Sequence, residues 1–315
     1  MDAIPPFAVP AEQAGHTLAA VLRALLPGQS WSQVRTLVAG RRVLVGGEAC
    51  LDPARRLKEG DAVELRSRPQ AAPRDPSRIR VRFFDDHVAV VEKPAGMNTL
   101  RHPAERVWSE DRKKLSPTLE DLVPAQFGRG AHPRLRIVHR LDKETSGLVV
   151  FARTVAAERG LGRQFHAHTV TRRYLALVSG QSRPETIRSF LVRDRGDGRR
   201  GSTEVEGVGK EAITHVEVAE VLPGHTLVRC RLETGRTHQI RIHLAERGKP
   251  VCGDKVYRIK VDGGTFDDVS GAKRLMLHAT ELGFLHPVSG EKMHWDMPMP
   301  EDMAQVLDRL RKRRE

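Results

Sequence analysis

An aspartate closes the segment Ile137-Val138-His139-Arg140-Leu141-Asp142 and opens the polar run Lys143-Glu144-Thr145-Ser146-Gly147, after which Leu148 to Phe151 is apolar again. Two β-type runs therefore flank a polar turn. If the first run continues as a strand, alternation sets Ile137, His139 and Leu141 on one face and Val138, Arg140 and Asp142 on the other. Asp142 then stands beside Arg140 at the rim of a sheet, where catalytic carboxylates are commonly sited. Taken alone, an aspartate before Thr-Ser-Gly reads more often as a turn former. Tyr174 is one of two tyrosines in a chain with 4% aromatic residues. Alternation through Val170 to Val178 groups it with Val170, Arg172, Ala176 and Val178, so it is either a half-buried sheet residue or a functional ring beside the pair Arg172-Arg173.

Other reactive side chains form no pattern. Cys50, Cys230 and Cys252 lie far apart with no CxxC pair, which excludes a disulfide framework and a cysteine zinc site and fits a reducing cytoplasm. His238 and His243 are five apart and diverge by about 140° on a helix, so no metal site is expected among the 14 histidines. There is no Gly-x-Ser-x-Gly elbow, no HExxH helix and no Gly-rich dinucleotide or phosphate loop.

The elements that must position these residues are organised in two parts. A length of 315 residues suits one large domain or two unequal ones at roughly 100–200 residues each. Leu18, Val21, Leu22, Leu25 and Leu26 predict an amphipathic helix stopped by Pro27. Ser32 reads as the N-cap of a second helix carrying Val34, Leu37 and Val38, with Gly40 ending it in a left-handed conformation. Val43 to Val45 and Ala62 to Leu65 read as short strands. With Arg35, Arg41, Arg42, Arg55 and Arg56, this unit resembles the S4 RNA-binding domain over about fifty residues. The resemblance implies that Arg35, Arg41 and Arg42 contact RNA. The proline-rich stretch after Arg68 reads as a linker, which gives an S4-like domain over residues 1–67, a linker over 68–79 and a catalytic domain over 80–315. In that last domain β-type runs at Val88 to Val91, Leu135 to Leu141, Leu148 to Phe151, Val170 to Val178 and Thr226 to Leu232 alternate with helical patterns. Leu191 to Lys210 reads as a surface loop or hairpin, and Arg258 to Lys273 as a mobile insertion.

Four separated motifs of this second part occur in the order found in one enzyme family. His139-Arg140-Leu141-Asp142-Lys143-Glu144-Thr145-Ser146-Gly147-Leu148 resembles the signature of the RluA-type pseudouridine synthases. Val90-Val91-Glu92-Lys93-Pro94-Ala95-Gly96, Leu232 to His243 and Arg274 to Ala279 resemble the family's other core segments. The fold implied is α+β, a mixed and mainly antiparallel sheet of pseudouridine synthase type preceded by the small S4-like unit. By resemblance Asp142 is the nucleophile that attacks a uridine in RNA, detaching the base so that it can rejoin through carbon 5. A carboxylate attacks only when ionised, so burial, which favours the protonated acid, must be offset by a cation; Arg241 is the candidate. A helix capped by Thr237 and ended by Gly248 would carry it. The resemblance also makes Tyr174 the ring that stacks on the target base and Leu277 part of an apolar pocket. His139 and Arg140 precede the nucleophile, with Arg140 the one that contacts or replaces the flipped nucleotide.

The charge balance agrees. Fifty-three Lys+Arg against 40 Asp+Glu leave a net charge of +13, which favours a polyanionic partner through counterion release. RNA is the expected partner, ribosomal RNA of the large subunit ahead of tRNA, and a tRNA-directed synthase or a non-catalytic S4-domain assembly factor are the alternatives. The isomerisation implies no metal and no organic cofactor. No apolar run approaches the roughly 18 residues of a membrane span, and the opening Met-Asp-Ala-Ile-Pro-Pro is unlike a secretory signal. A cytoplasmic, monomeric enzyme is expected.

Overall fold

The computed structural model describes residues 4–68, 79–126, 135–205, 207–260 and 263–314. The chain divides into two compact units, residues 1–75 and 76–315. Most of the expected linker, residues 69–78, lies outside the described residues. No helix is long and apolar enough to cross a membrane among those described.

The N-terminal unit runs β1 (Ile4–Ala8), α1 (Leu18–Leu25), α2 (Trp31–Ala39), β2 (Val43–Val45), β3 (Glu48–Ala49) and β4 (Ala62–Leu65). Its sheet has the order β1-β4-β2-β3. Leu18, Val21 and Leu22 of α1 are buried as their spacing predicts, packing with Val34 and Val38 of α2 and with Val43 and Val63, whereas Leu25, expected in the same stripe, is exposed and Leu26 follows the helix as its cap. Two local expectations are corrected. Ser30, not Ser32, caps α2: its hydroxyl accepts the Gln33 N–H while the Gln33 side chain accepts the Ser30 N–H, a reciprocal box that starts the helix earlier than expected. Gly40 keeps a negative φ of −75°, and the left-handed position falls on Arg41 at φ 59°.

The C-terminal unit runs β5 (Val81–Phe84), β6 (Val88–Lys93), α3 (Glu110–Leu115), α4 (Leu119–Ala125), β7 (Arg136–Ile137), β8 (Ser146–Ala152), α5 (Val155–His166), β9 (Thr171–Ser179) and β10 (Glu185–Val192). It continues through β11 (Gly201–Thr203), β12 (Lys210–Leu222), β13 (His225–Leu232), α6 (Gln239–Glu246), β14 (Leu277–Leu285), β15 (Lys292–Asp296) and α7 (Glu301–Arg311). One sheet has the order β11-β10-β12-β13-β9-β14-β8-β6-β5, with β15 on β14 and β7 on β8. Its pairings are antiparallel apart from β8 with β14. This is the expected mainly antiparallel α+β fold.

Strand β8 is buried throughout because both its faces are covered. Leu148, Val150 and Ala152 pack under α5, while Val149 and Phe151 face the core that α4 and α7 close. A two-sided burial explains why Leu148 to Phe151 reads as an unbroken apolar run. The first run does not continue: Leu135 to Leu141 forms a strand only at Arg136–Ile137, then bends at Val138. Strand alternation therefore does not set the face of Asp142. The expected hairpin after Leu191 exists, β10 pairing with β11. Residues 261 and 262 of the insertion lie outside the described residues.

Candidate active site

Asp142 sits on the bend between β7 and β8, and three fastenings define its place. The Asp142 carbonyl accepts the Thr145 N–H at 3.1 Å, closing a turn over 142–145. On its upstream side, buried Thr99 grips Leu141: the hydroxyl donates to the Leu141 carbonyl at 2.8 Å and accepts the Leu141 N–H at 3.2 Å. On its downstream side, Lys93 is fully buried and its ammonium donates to the carbonyls of Pro94 (2.9 Å), Met97 (2.7 Å) and Lys143 (3.0 Å). Gly96 N–H also meets the Lys143 carbonyl at 2.8 Å. Burial pulls the Lys93 pKa down to about 7, against the pull of Glu144 and Asp142. The Lys-Pro-Ala-Gly turn is thus the socket into which the Asp142 turn is plugged.

The cation comes from α6. Arg241 places Nη1 3.5 Å from Asp142 Oδ2, and its other edge forks onto buried Asp254, Nε to Oδ2 at 2.7 Å and Nη2 to Oδ1 at 3.0 Å. Burial disfavours the charges on both partners, but the fork outweighs it: Arg241 is shifted up and Asp254 down. Arg241 therefore serves a structural acid and the candidate nucleophile at once. The helix start differs from expectation. His238, not Thr237, occupies the cap position, in a left-handed conformation with no side-chain capping bond. Buried Gln239 ties this entry down. Its carbonyl oxygen accepts from the Thr234 hydroxyl (2.8 Å) and the Arg236 N–H (3.0 Å), and its amide donates to the Ile213 carbonyl and Thr214 hydroxyl, each at 3.0 Å. Gly248 follows α6 at φ 71°, as expected.

Asp142, Arg241, Tyr174 and Leu277 line one cavity of about 480 Å³, together with His139 and Arg140. That volume suits a small ligand or one nucleoside. Tyr174 is 7% exposed on β9 between Cys230 and Ala279, and burial raises its phenol pKa, with Asp142 adding to the rise and Arg172 opposing it. Arg140 is exposed at the mouth. His139 has a different occupation: its Nε2 accepts the Val150 N–H at 3.0 Å and its ring stacks on Phe165 at 4.8 Å. Burial drives its pKa down to about 3, so it stays neutral and anchors the bend to β8. Arg35, Arg41 and Arg42 belong to the N-terminal unit. Arg35 is exposed on α2 and Arg42 donates to the Arg66 carbonyl at 2.9 Å.

Sequence reasoning missed Thr99, His238, Asp254 and Tyr257. The last three stand in the Leu232–His243 and Gly253–Tyr257 segments, so their presence was visible but their convergence on Asp142 was not. Among the described residues one group, His225, Cys252 and Asp268, brings three metal-ligating atoms within 4.8 Å of one another. None of the three lines the cavity.

Residues 87–246 match the family model of RNA pseudouridylate synthase. This chain belongs to that family. Residues 17–63 match the S4 domain model. The synthase is 38% identical over 313 residues to ribosomal large subunit pseudouridine synthase D of Xanthomonas campestris, an alignment that covers 96% of this chain and 91% of the relative. It is 36% identical to the enzyme of that name from Zymomonas mobilis, covering 95% of each. Among solved structures, human RNA pseudouridylate synthase domain containing 1 superposes with a TM-score of 0.55 at 26% identity, over 76% of this chain and 97% of that one. The synthase is accordingly an isomerase that makes pseudouridine in RNA.

Proposed function

We propose that this synthase modifies uridines of large-subunit ribosomal RNA, with Asp142 as nucleophile, Arg241 as its counter-ion and Tyr174 as the stacking ring. The observation that carries the reading is the Asp142 carboxylate beside Arg241 in a cavity that also holds Tyr174 and Leu277. Asp142 attacks carbon 1′ of the flipped uridine, and the N1–C1′ bond breaks with its electron pair left on the uracil. The base turns in the cavity until carbon 5 faces carbon 1′. The C5–C1′ bond forms as the ester to Asp142 opens; carbon 5 loses a proton and N1 gains one. Nothing is oxidised or reduced. Tyr174 holds the detached base during rotation, at about 1–3 kcal/mol for one stacked base. Arg140, exposed at the mouth, takes the place of the flipped nucleotide, whose extrusion costs a few kcal/mol.

Two relatives named for the ribosomal large subunit support the choice of target, and the S4 domain supports an RNA grip in which Arg35, Arg41 and Arg42 meet phosphates. The enzyme acts as a cytoplasmic monomer on this reading. Tritium release from C5-labelled large-subunit rRNA tests the chemistry. Asp142→Asn should fall below about one-hundredth of wild-type release while RNA affinity stays within about threefold. Mapping pseudouridines in cells with and without the protein tests the target; loss of tRNA sites with intact rRNA sites would overturn it.

A further inference from the structure

His238 is held in an unusual backbone conformation, φ 61°. A side chain there costs about 1–3 kcal/mol and persists where the surroundings demand it. The twist aims the ring. Nδ1 lies 2.8 Å from the Tyr257 hydroxyl and Nε2 lies 3.7 Å from Asp142 Oδ1. Tyr257 is itself fixed: it is 2% exposed, its N–H donates to Asp254 Oδ1 at 3.0 Å, and the Arg241 guanidinium lies 4.9 Å over its ring. Two arms therefore reach the carboxylate from one scaffold. Asp254 and Arg241 lead to Oδ2, and Tyr257 and His238 lead to Oδ1.

We propose that His238 is a positioning residue, the Nε2–H tautomer whose proton faces Asp142 Oδ1 and sets the plane of the attacking carboxylate. This rests on Asp142 being the nucleophile. An ionised carboxylate only accepts hydrogen bonds, so a bare Nε2 lone pair facing Oδ1 would be repelled. The Tyr257 hydroxyl supplies the matching proton on the other side of the ring. Burial pushes its pKa up to about 12, so it remains a phenol and donates to Nδ1. Burial also holds His238 below the ordinary histidine value, which keeps the ring neutral with one proton to place. The need for a second arm follows from Asp geometry. The terminal torsion of an aspartate is broad and nearly two-fold, so Arg241 on Oδ2 alone leaves the carboxylate free to rock, whereas contacts on both oxygens define its plane. At 3.5 and 3.7 Å the two arms flank the carboxylate and close when the base fills the cavity.

The test uses full-length enzyme and a saturating rRNA fragment. His238→Gly removes the ring while suiting the left-handed backbone, so strain does not confuse the result; matched melting midpoints show that the fold is kept. Its kcat should fall about 10²-fold, the usual penalty for a misplaced reacting group, with KM within about threefold. His238→Gln restores an N–H donor and should recover to within about tenfold of wild type. Nitrogen NMR of histidine-labelled enzyme should show the Nε2–H form at His238, and its loss in Tyr257→Phe. A His238→Gly enzyme with wild-type kcat, a change confined to KM, or an Nδ1–H tautomer in the wild type would overturn the proposal. Asp142→Asn run alongside separates the two claims. Activity in that variant refutes the nucleophile, while an inactive Asp142→Asn beside a fully active His238→Gly refutes only the role of His238.

Discussion

On the proposed reading the Asp142 carboxylate must reach carbon 1′ without being tied up. Arg241 spends its two shortest contacts on Asp254 and turns only Nη1 toward Asp142, at 3.5 Å. The guanidinium thus stands beside Asp142 without a short hydrogen bond to it, so on the proposed reading none to Arg241 has to break before the carboxylate attacks. Asp254→Asn should therefore act on the site through Arg241, by loosening the fork that aims the guanidinium. Tyr174 offers a cleaner division of roles. Tyr174→Phe keeps the ring and its stacking surface but removes the hydroxyl, so RNA affinity should remain within about threefold. If the hydroxyl moves protons, turnover falls by about 10²-fold or more while a covalent or tight RNA complex still accumulates. Gel-shift and tritium-release assays measure the two steps separately, and unchanged turnover would leave Tyr174 a stacking role alone.

At the scale of elements, the turn that carries Asp142 is held by the chain packed against it. Lys93 joins the end of β6 to the carbonyl of Lys143, and Thr99 clasps Leu141, so the chain on both sides of Asp142 is anchored to one loop. Gly147 does the equivalent for the strand that follows. It sits at φ 127°, and a Cβ there would overlap the Ala279 backbone where β8 meets β14 in parallel. Gly147→Ala should cost at least about 1–3 kcal/mol through overpacking and backbone strain. Activity should fall with it, because β14 carries Leu277 into the cavity. Urea unfolding checks this; a change of less than about 0.5 kcal/mol, the usual range for a surface substitution, would show that the junction yields.

For the whole molecule, acid should be a weak point. His139 is held neutral down to about 3, and His243 and His278 down to about 4, each through burial. The unfolded chain protonates these rings near 6.5, so between about pH 6.5 and 4 the unfolded state binds more protons and stability falls as pH falls. Urea midpoints should drop from pH 7 toward about pH 5, and His278→Gln should flatten that dependence. A midpoint that does not move across this window would contradict the buried neutral rings. The chain-level division of labour is equally open to test. Removing residues 1–78 should leave a folded unit that still modifies a short RNA at saturation. If Arg35, Arg41 and Arg42 meet phosphates as proposed, the log–log salt slope of RNA binding should flatten by about one for each arginine removed. Failure of the truncated enzyme on saturating RNA would assign the S4 domain a part in the chemistry.

The order of the motifs made the family, the mainly antiparallel fold and the S4 unit legible from the chain alone, because those features are written in short segments. Helix stripes at Leu18 to Leu22 and the apolar run of β8 are periods of 3.6 residues and of continuous burial, which need no knowledge of the rest of the chain. Local competition blurred finer detail. Ser30 and Ser32 are both sound caps, and only the Gln33 side chain turning back to Ser30 decides between them. The bend at Val138 defeated strand alternation because His139 bonds to β8 instead of continuing the ladder. His139 illustrates the same limit at the site, since its place in the signature did not reveal that its ring is spent on Val150 and Phe165. The resemblance already named Arg241 as the cation for Asp142; what only the tertiary structure decided is that His238, Asp254 and Tyr257, about a hundred positions downstream of Asp142, gather around that pair. Spacing along a chain fixes which side chains share a face within one element. Which elements meet is set by sheet order and by burial of the whole core.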